Sequence, residues 1–152
     1  MSDDDQKQVT TILEQLDLSN LATTYMNELS GGQMQMASLG QALVSLPRIL
    51  LLDEPTSSLD IKNELYMLER IKEYTTKHNT ATVMTIHSLS QAARYADHLI
   101  VMHNGHIKAS GSPDEILSPS LIRDVYGVET RLIRDNGDMI LIPQKVVRMD
   151  NP

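Results

Sequence analysis

Leu29-Ser30-Gly31-Gly32-Gln33 and, twenty residues further on, Asp53-Glu54-Pro55-Thr56-Ser57-Ser58-Leu59-Asp60 decide how this chain is read, with the apolar run Ile49-Leu50-Leu51-Leu52 leading straight into the second block. Two adjacent glycines let a backbone approach an anion closely. A serine ahead of a helix offers a hydroxyl, and the first turn offers unpaired N–H groups at the positive end of the dipole. Ser30–Gln33 therefore reads either as a phosphate-binding tip or as an ordinary serine-capped helix after a glycine turn. A carboxylate at the C-terminal end of a parallel strand lies where ligands bind in open α/β sheets. Asp53 there suits a hard divalent cation, and Glu54 suits a general base acting on water. The alternative is an acidic strand end that only caps the following loop. Neighbouring residues on a strand face opposite ways, so Glu54 shares the site only at or past the strand end, where the chain turns at Pro55.

Outward from these blocks, Val9, Ile12, Leu13 and Leu16 recur at helical spacing and predict an amphipathic N-terminal helix. A second helix is predicted from Ser30 to about Ser45, with Pro47 breaking the pattern. Ile49–Asp53 and Thr82–His87 read as buried parallel strands. Between them Ile61, Leu65, Leu68 and Ile71 mark one face of a helix that Asp60 caps, giving a right-handed crossover unit. A further helix follows His87, capped by Ser88 or Ser90. Asn104-Gly105 between Leu99–Met102 and Ile107–Ala109 is a type I′ hairpin signal. Ser112-Pro113-Asp114-Glu115 reads as a capping box with proline at the first helical position. Ser118-Pro119 opens a short helix that Gly127 closes, and Arg131–Ile142 forms a second hairpin turning at Asn136-Gly137.

Composition narrows the function classes. The chain has 152 residues, enough for one domain with a modest core, and neither Phe nor Trp, so Leu, Ile, Val and Met must fill it. The methionines, Met34, Met36, Met84 and Met102 among them, are expected to be mostly core filler. Cysteine is absent, which removes disulfides and thiolate metal sites and fits a reducing compartment. A net charge of −7 without a basic stripe argues against nucleic acid as a partner. No apolar run approaches a membrane span and Met1 opens onto Asp3, Asp4 and Asp5, so membrane association is expected to run through a partner protein. The acidic run itself reads as a solvated approach to the first helix. His98, His103 and His106 read as part of a solvated hairpin rather than a metal site, since no nearby carboxylate or thiolate completes a ligand set. His87, at the end of the second strand, reads as a satisfied histidine or as a sensor beside a phosphate.

The two blocks resemble the signature motif and the Walker B strand with D-loop of ABC-type ATPases, and residues 29–117 are similar to the later part of an ABC transporter nucleotide-binding domain. The fold this implies is α/β: part of a P-loop NTPase (RecA-like) core, the end of the helical subdomain and a C-terminal antiparallel hairpin region. The implied layout is one domain, with residues 1–46 carrying the signature, 47–117 the Walker B, D-loop and switch-histidine core, and 118–152 a C-terminal extension. In such ATPases two subunits pair head to tail around ATP and Mg²⁺. By that resemblance Ser30, Gly31, Gly32 and Gln33 touch the γ-phosphate held on the partner, and Asp53 serves Mg²⁺. Glu54 is the catalytic base, His87 the switch, and Asp60 communicates across the dimer. The implied partners are a second nucleotide-binding subunit and transmembrane permease subunits, which place the chain on the cytoplasmic face of the plasma membrane.

Met34-Gln35-Met36, Tyr126-Gly127-Val128 and Arg131-Leu132-Ile133 are similar to importers of ferric siderophores, haem or cobalamin. Gly40-Gln41 stands where the family usually has Ala-Arg, and Ser88 follows His87 where Asp is common. The sequence contains no G-x-x-x-x-G-K-[ST]. Without that cradle and its lysine the β- and γ-phosphates have no primary holder. The polypeptide alone is therefore expected neither to bind ATP tightly nor to hydrolyse it, and its sheet is expected to expose an edge and apolar surface. The alternative is a non-hydrolysing partner module, or a remnant, that lends only its signature to another ATPase subunit.

Overall fold

A computed structural model describes residues 2–135 and 138–147. They fall into two compact units, 1–86 and 87–152.

The first unit opens with α1 (Asp3–Gln15), capped by Ser2. Asp3, Asp4 and Asp5 form its first turn rather than an approach to it, and the Asp5 carboxylate accepts from Ser2 N at 2.7 Å. Acidic groups there meet the positive end of the helix dipole. Two short 3₁₀ turns, Ser19–Leu21 and Met26–Glu28, lead to α2 (Gly31–Leu43). Gly40 lets α1 close on α2: a Cβ there would lie 3.1 Å from Leu16 Cδ1. The glycine that departs from the family's alanine therefore sits at a tight helix contact. Gln8, midway along α1, also donates to the carbonyl of Val44, the C-cap of α2, tying the same two helices together.

Strand β1 (Ile49–Leu52) pairs in parallel with β2 (Ala81–Met84), in register from Ile49↔Ala81 to Leu52↔Met84. Between them runs α3 (Ile61–His78). Met67, Leu68, Ile71 and Tyr74 form its buried face, whereas Ile61, expected on that face, is 76% exposed. The unit's core joins Ile12, Leu16, Leu18, Met36, Leu39, Leu43, Leu50 and, from α3, Met67, Ile71 and Tyr74.

The two strands differ from expectation in length and in burial. They end at Leu52 and Met84, so Asp53 lies one residue, and His87 three residues, beyond strand structure. Leu50 is buried, but Ile49, Leu51 and Val83 are 65%, 73% and 61% exposed. Alternation sends every second side chain to the outer face of the pair, and among the described residues nothing covers that face. A run that reads as doubly buried is here buried on one side only. The expected apolar surface is present, and in this two-stranded sheet each strand is an edge among the described residues.

Tyr66 Oη donates to the Asp17 carboxylate. Burial, then this bond, pushes the Tyr66 phenol up to about 12. A phenol raised on folding stabilises the fold fully below its unfolded value near 10 and loses that contribution as pH climbs toward its folded value. Ultraviolet titration should therefore find Tyr66 ionising late, with Tyr74 also raised by burial, and Asp17→Asn should bring Tyr66 part of the way down. A single transition for all tyrosines would contradict the bond.

The second unit contains α4 (Leu89–Tyr95), β3 (Leu99–His103), β4 (His106–Gly111), α5 (Pro113–Ile116), α6 (Pro119–Tyr126), β5 (Val128–Asp135) and β6 (Asp138–Val146). Strands β3 and β4 form the expected antiparallel hairpin, with Asn104 and Gly105 at φ 50° and 77°. Positive φ at both positions is what a type I′ turn requires. Strands β5 and β6 form the second hairpin, longer than expected at both ends. Its turn, Asn136-Gly137, lies outside the described residues. Ser112 N donates to Glu115 at 2.9 Å, closing the predicted capping box and holding that carboxyl below its ordinary range. Helix α6 packs on β5 and α4 on β6, and Ala92, Val101, Leu117, Ile122 and Met139 are the unit's buried apolar residues among those described.

The methionines follow the core-filler expectation only in part, with Met67 and Met139 in the core. Met36 is buried, but Met34 and Met102 are exposed and Met84 is only partly covered. A flexible thioether tolerates both settings.

Candidate functional site

Ser30 caps α2, as its residue type and place predict. Its hydroxyl accepts from Gln33 N at 3.4 Å, and Gln33 Oε1 accepts from Ser30 N at 2.9 Å. The two side chains satisfy each other in a capping box, which fixes the start of the helix. No acidic residue occupies the first turn of α2, so its positive end is unopposed from within the helix. Gly31 opens outward, with no atom within 4 Å of where a Cβ would stand. Gly32 faces the other way: a Cβ there would lie 3.4 Å from Asn63 Nδ2 and 3.6 Å from Leu59 Cδ2.

The glycine tip thus rests on the loop that follows β1. Gln35 Nε2 adds a bond to Ser57 O at 3.2 Å. Asp60 caps α3 at the end of the same loop: Oδ1 accepts from Asn63 N at 2.8 Å and Oδ2 from Asn63 Nδ2 at 3.0 Å. Residues 30–33 and 57–63, distant in sequence, therefore form one surface. Only its two ends were legible beforehand. Gln35 and Asn63 were missed as links because neither carries a local signal of a long-range bond.

Asp53 and Glu54 follow β1 directly. Glu54 has φ 45°, in the left-handed region, so strand alternation ends there. This meets the condition set by the sequence for the two acids to share a site. Thr85, just past β2, joins them. Its Oγ1 donates to Asp53 Oδ1 at 2.8 Å and accepts from Glu54 N at 2.7 Å. Thr85 N also donates to Leu52 O at 3.0 Å, extending the pairing by one residue. The sequence reading missed Thr85, because a threonine near a strand end reads as a strand former. The register that the structure supplies sets Leu52 opposite Met84 and so places Thr85 beside Asp53.

His87 is exposed and begins the second unit. Ser88 caps α4, its Oγ accepting from Gln91 N at 3.4 Å. Serine fills the capping role open to the aspartate common there in the family. His103 and His106 face each other across the β3–β4 turn, and His98 Nε2 pairs with Ser110 Oγ at 2.9 Å. Among the described residues no three His, Cys, Asp or Glu side chains converge on a common point suited to a metal.

The sequence profile of the ABC transporter family matches residues 2–57. Together with the α/β fold and the relatives below, it assigns the class: this chain belongs to the ABC transporter ATP-binding domain family. An ABC transporter ATP-binding protein of Methanocaldococcus jannaschii is 38% identical over 94% of this chain and 56% of its own length. The ferric enterobactin transport ATP-binding protein FepC of Escherichia coli K12 is 36% identical over 92% of this chain and 52% of its own. A hemin import ATP-binding protein, HmuV, of Rhodopseudomonas palustris is 34% identical over 96% and 57%. The chain spans about half the length of the curated relatives it matches. Among solved structures, an ATP-binding cassette in its ADP conformation superposes with a TM-score of 0.74 at 30% identity, over 83% of this chain and 51% of that one. A chain of an ABC transporter in an inward-facing conformation superposes with 0.85 at 24% identity, over 95% and 59%, which speaks to the fold alone.

Proposed function

We propose that this chain supplies the signature, Walker B and switch portion of an ABC-type ATPase that energises import of an iron(III) complex of siderophore or haem type. In the proposed layout residues 1–46 belong to the helical subdomain, 47–117 to the catalytic core and 118–152 to a C-terminal extension. The observation that carries the reading is the acid pair fixed at the C-terminal end of a parallel strand, where sheets of this kind bind ligands. The substrate class rests on the ferric enterobactin and hemin relatives.

The donor set fits Mg²⁺ with a nucleotide. Asp53 offers exposed oxygen, oriented through Oδ1 by Thr85. Mg²⁺ takes one or two carboxylates plus waters and substrate phosphates rather than an all-protein cage, so the lack of a three-residue cluster suits it. When bound, the cation neutralises charge on the transferring phosphate. Glu54 would take the proton of the attacking water, and His87 would report on the γ-phosphate. Ser30, Gly31, Gly32 and Gln33 would present the α2 N-terminus to ATP held by another P-loop. Asp60, on the same surface as Gly32, would sense that contact. The partners in this reading are a second nucleotide-binding subunit, head to tail, and permease subunits at the inner face of the plasma membrane, with no nucleic acid.

The 152-residue polypeptide should not hydrolyse ATP alone, having no P-loop of its own. Added to an ATP-binding domain with an intact P-loop, it should change that domain's ATPase rate. Gly31→Ala should abolish the change while leaving the thermal midpoint equal or higher, since a Cβ there meets nothing and alanine favours helix. An unchanged rate at saturating polypeptide would count against the reading, as would hydrolysis by the polypeptide alone.

A further inference from the structure

Thr85 stands where three constraints meet. Glu54 is a non-glycine residue at φ 45°, a strained conformation that persists only when neighbours hold it. One such neighbour is the Thr85 hydroxyl, which receives the Glu54 N–H at 2.7 Å. The same hydroxyl gives its proton to Asp53 Oδ1 at 2.8 Å. A hydroxyl carries one proton and two lone pairs, so it can serve both neighbours at once. Its own backbone is fixed to Leu52 O, so the oxygen's position is set by the strand pairing rather than by a loop. The loop beyond closes through Ser57 N to Glu54 O at 3.0 Å.

We propose that Thr85 is a positioning residue: its hydroxyl locks the Glu54 backbone into the left-handed turn and orients Asp53, presetting the distance between the metal-holding and water-activating carboxyl groups. The inference rests on the roles given to Asp53 and Glu54 above. The hydroxyl contacts neither nucleotide nor water in this scheme and acts through both acids. Because Thr85 and both acids are exposed, removing the hydroxyl lets water reach the freed groups. The effect should fall on geometry more than on stability.

The test compares wild type, Thr85→Val and Thr85→Ser in the full chain. Valine keeps the β-branched shape without donor or acceptor, and serine keeps the hydroxyl. Hydrogen exchange read residue by residue should show the Glu54 amide exchanging about tenfold faster in Thr85→Val and close to wild type in Thr85→Ser, with matching thermal midpoints. Equal exchange in wild type and Thr85→Val, or no rescue by serine, would overturn the proposal. In the ATPase assembled with a P-loop-bearing domain, Thr85→Val should lower kcat about 10- to 100-fold with KM for ATP unchanged, again rescued by serine. A loss in KM alone would also overturn it. If the wild-type assembly lacks activity, the functional reading fails, and the exchange comparison still decides whether Thr85 holds Glu54.

Discussion

Glu54→Gln should reduce hydrolysis by the assembled ATPase about 10²- to 10⁴-fold, the range carried by a positioned general base. Glutamine matches glutamate in shape and keeps the backbone N–H that Thr85 accepts at 2.7 Å. The left-handed turn at φ 45° therefore survives, and the fold should lose no more than about 0.5 kcal/mol, as for other surface changes. What disappears is the acceptor for the water's proton. Nucleotide affinity should hold or rise, because turnover stops after binding. The measurement is single-turnover hydrolysis beside equilibrium nucleotide binding. A rate within a factor of a few of wild type would show that Glu54 is not the base. Loss of binding together with rate would place it in the binding of nucleotide instead.

The second large effect belongs to the core. Leu43→Ala should destabilise the first unit by about 2–5 kcal/mol, the range for leucine truncation at a buried site. Leu43 is 1% exposed and is the last residue of α2. Its carbonyl accepts the Tyr74 hydroxyl at 3.2 Å, so α2 and α3 meet there by packing and by a bond. A cavity of about 70 Å³ already lies beside it, lined by Gln15, Leu16, Leu43, Arg70, Glu73 and Tyr74. Tyr74→Phe, which removes only the bond, should cost about 0.5–1.5 kcal/mol. Urea unfolding followed by circular dichroism separates the two, and equal losses would mean that the bond, not the packing, joins the helices.

What the sequence disclosed was local. Ser30, Asp60, Ser88, Ser112 and Ser118 each begin a helix as predicted, because capping needs only a short polar side chain and the next few amides. Asn104-Gly105 was equally legible, since a two-residue turn specifies its own backbone. Strand burial was misjudged because Ile49-Leu50-Leu51-Leu52 records that both faces favour cover without saying where the cover comes from. Ile61 failed for a related reason, since the first helical turn can point away from a core that the later turns reach. The pairing of Gly32 with Asn63 and of Thr85 with Asp53 and Glu54 depends on register and tertiary contact, which no window of sequence contains. At the candidate site the individual residues were readable, and the bonds that unite them were not.

The uncovered face of the β1–β2 pair, with Ile49, Leu51 and Val83 turned outward, makes the fate of a newly made chain a race. Burial of that face by a fitting surface proceeds at a rate set by how soon the surface is within reach. Collision with another exposed strand accelerates with crowding of like chains and leads to precipitates. Yield in expression is therefore expected to follow how long those three side chains wait more than how stable the finished unit is.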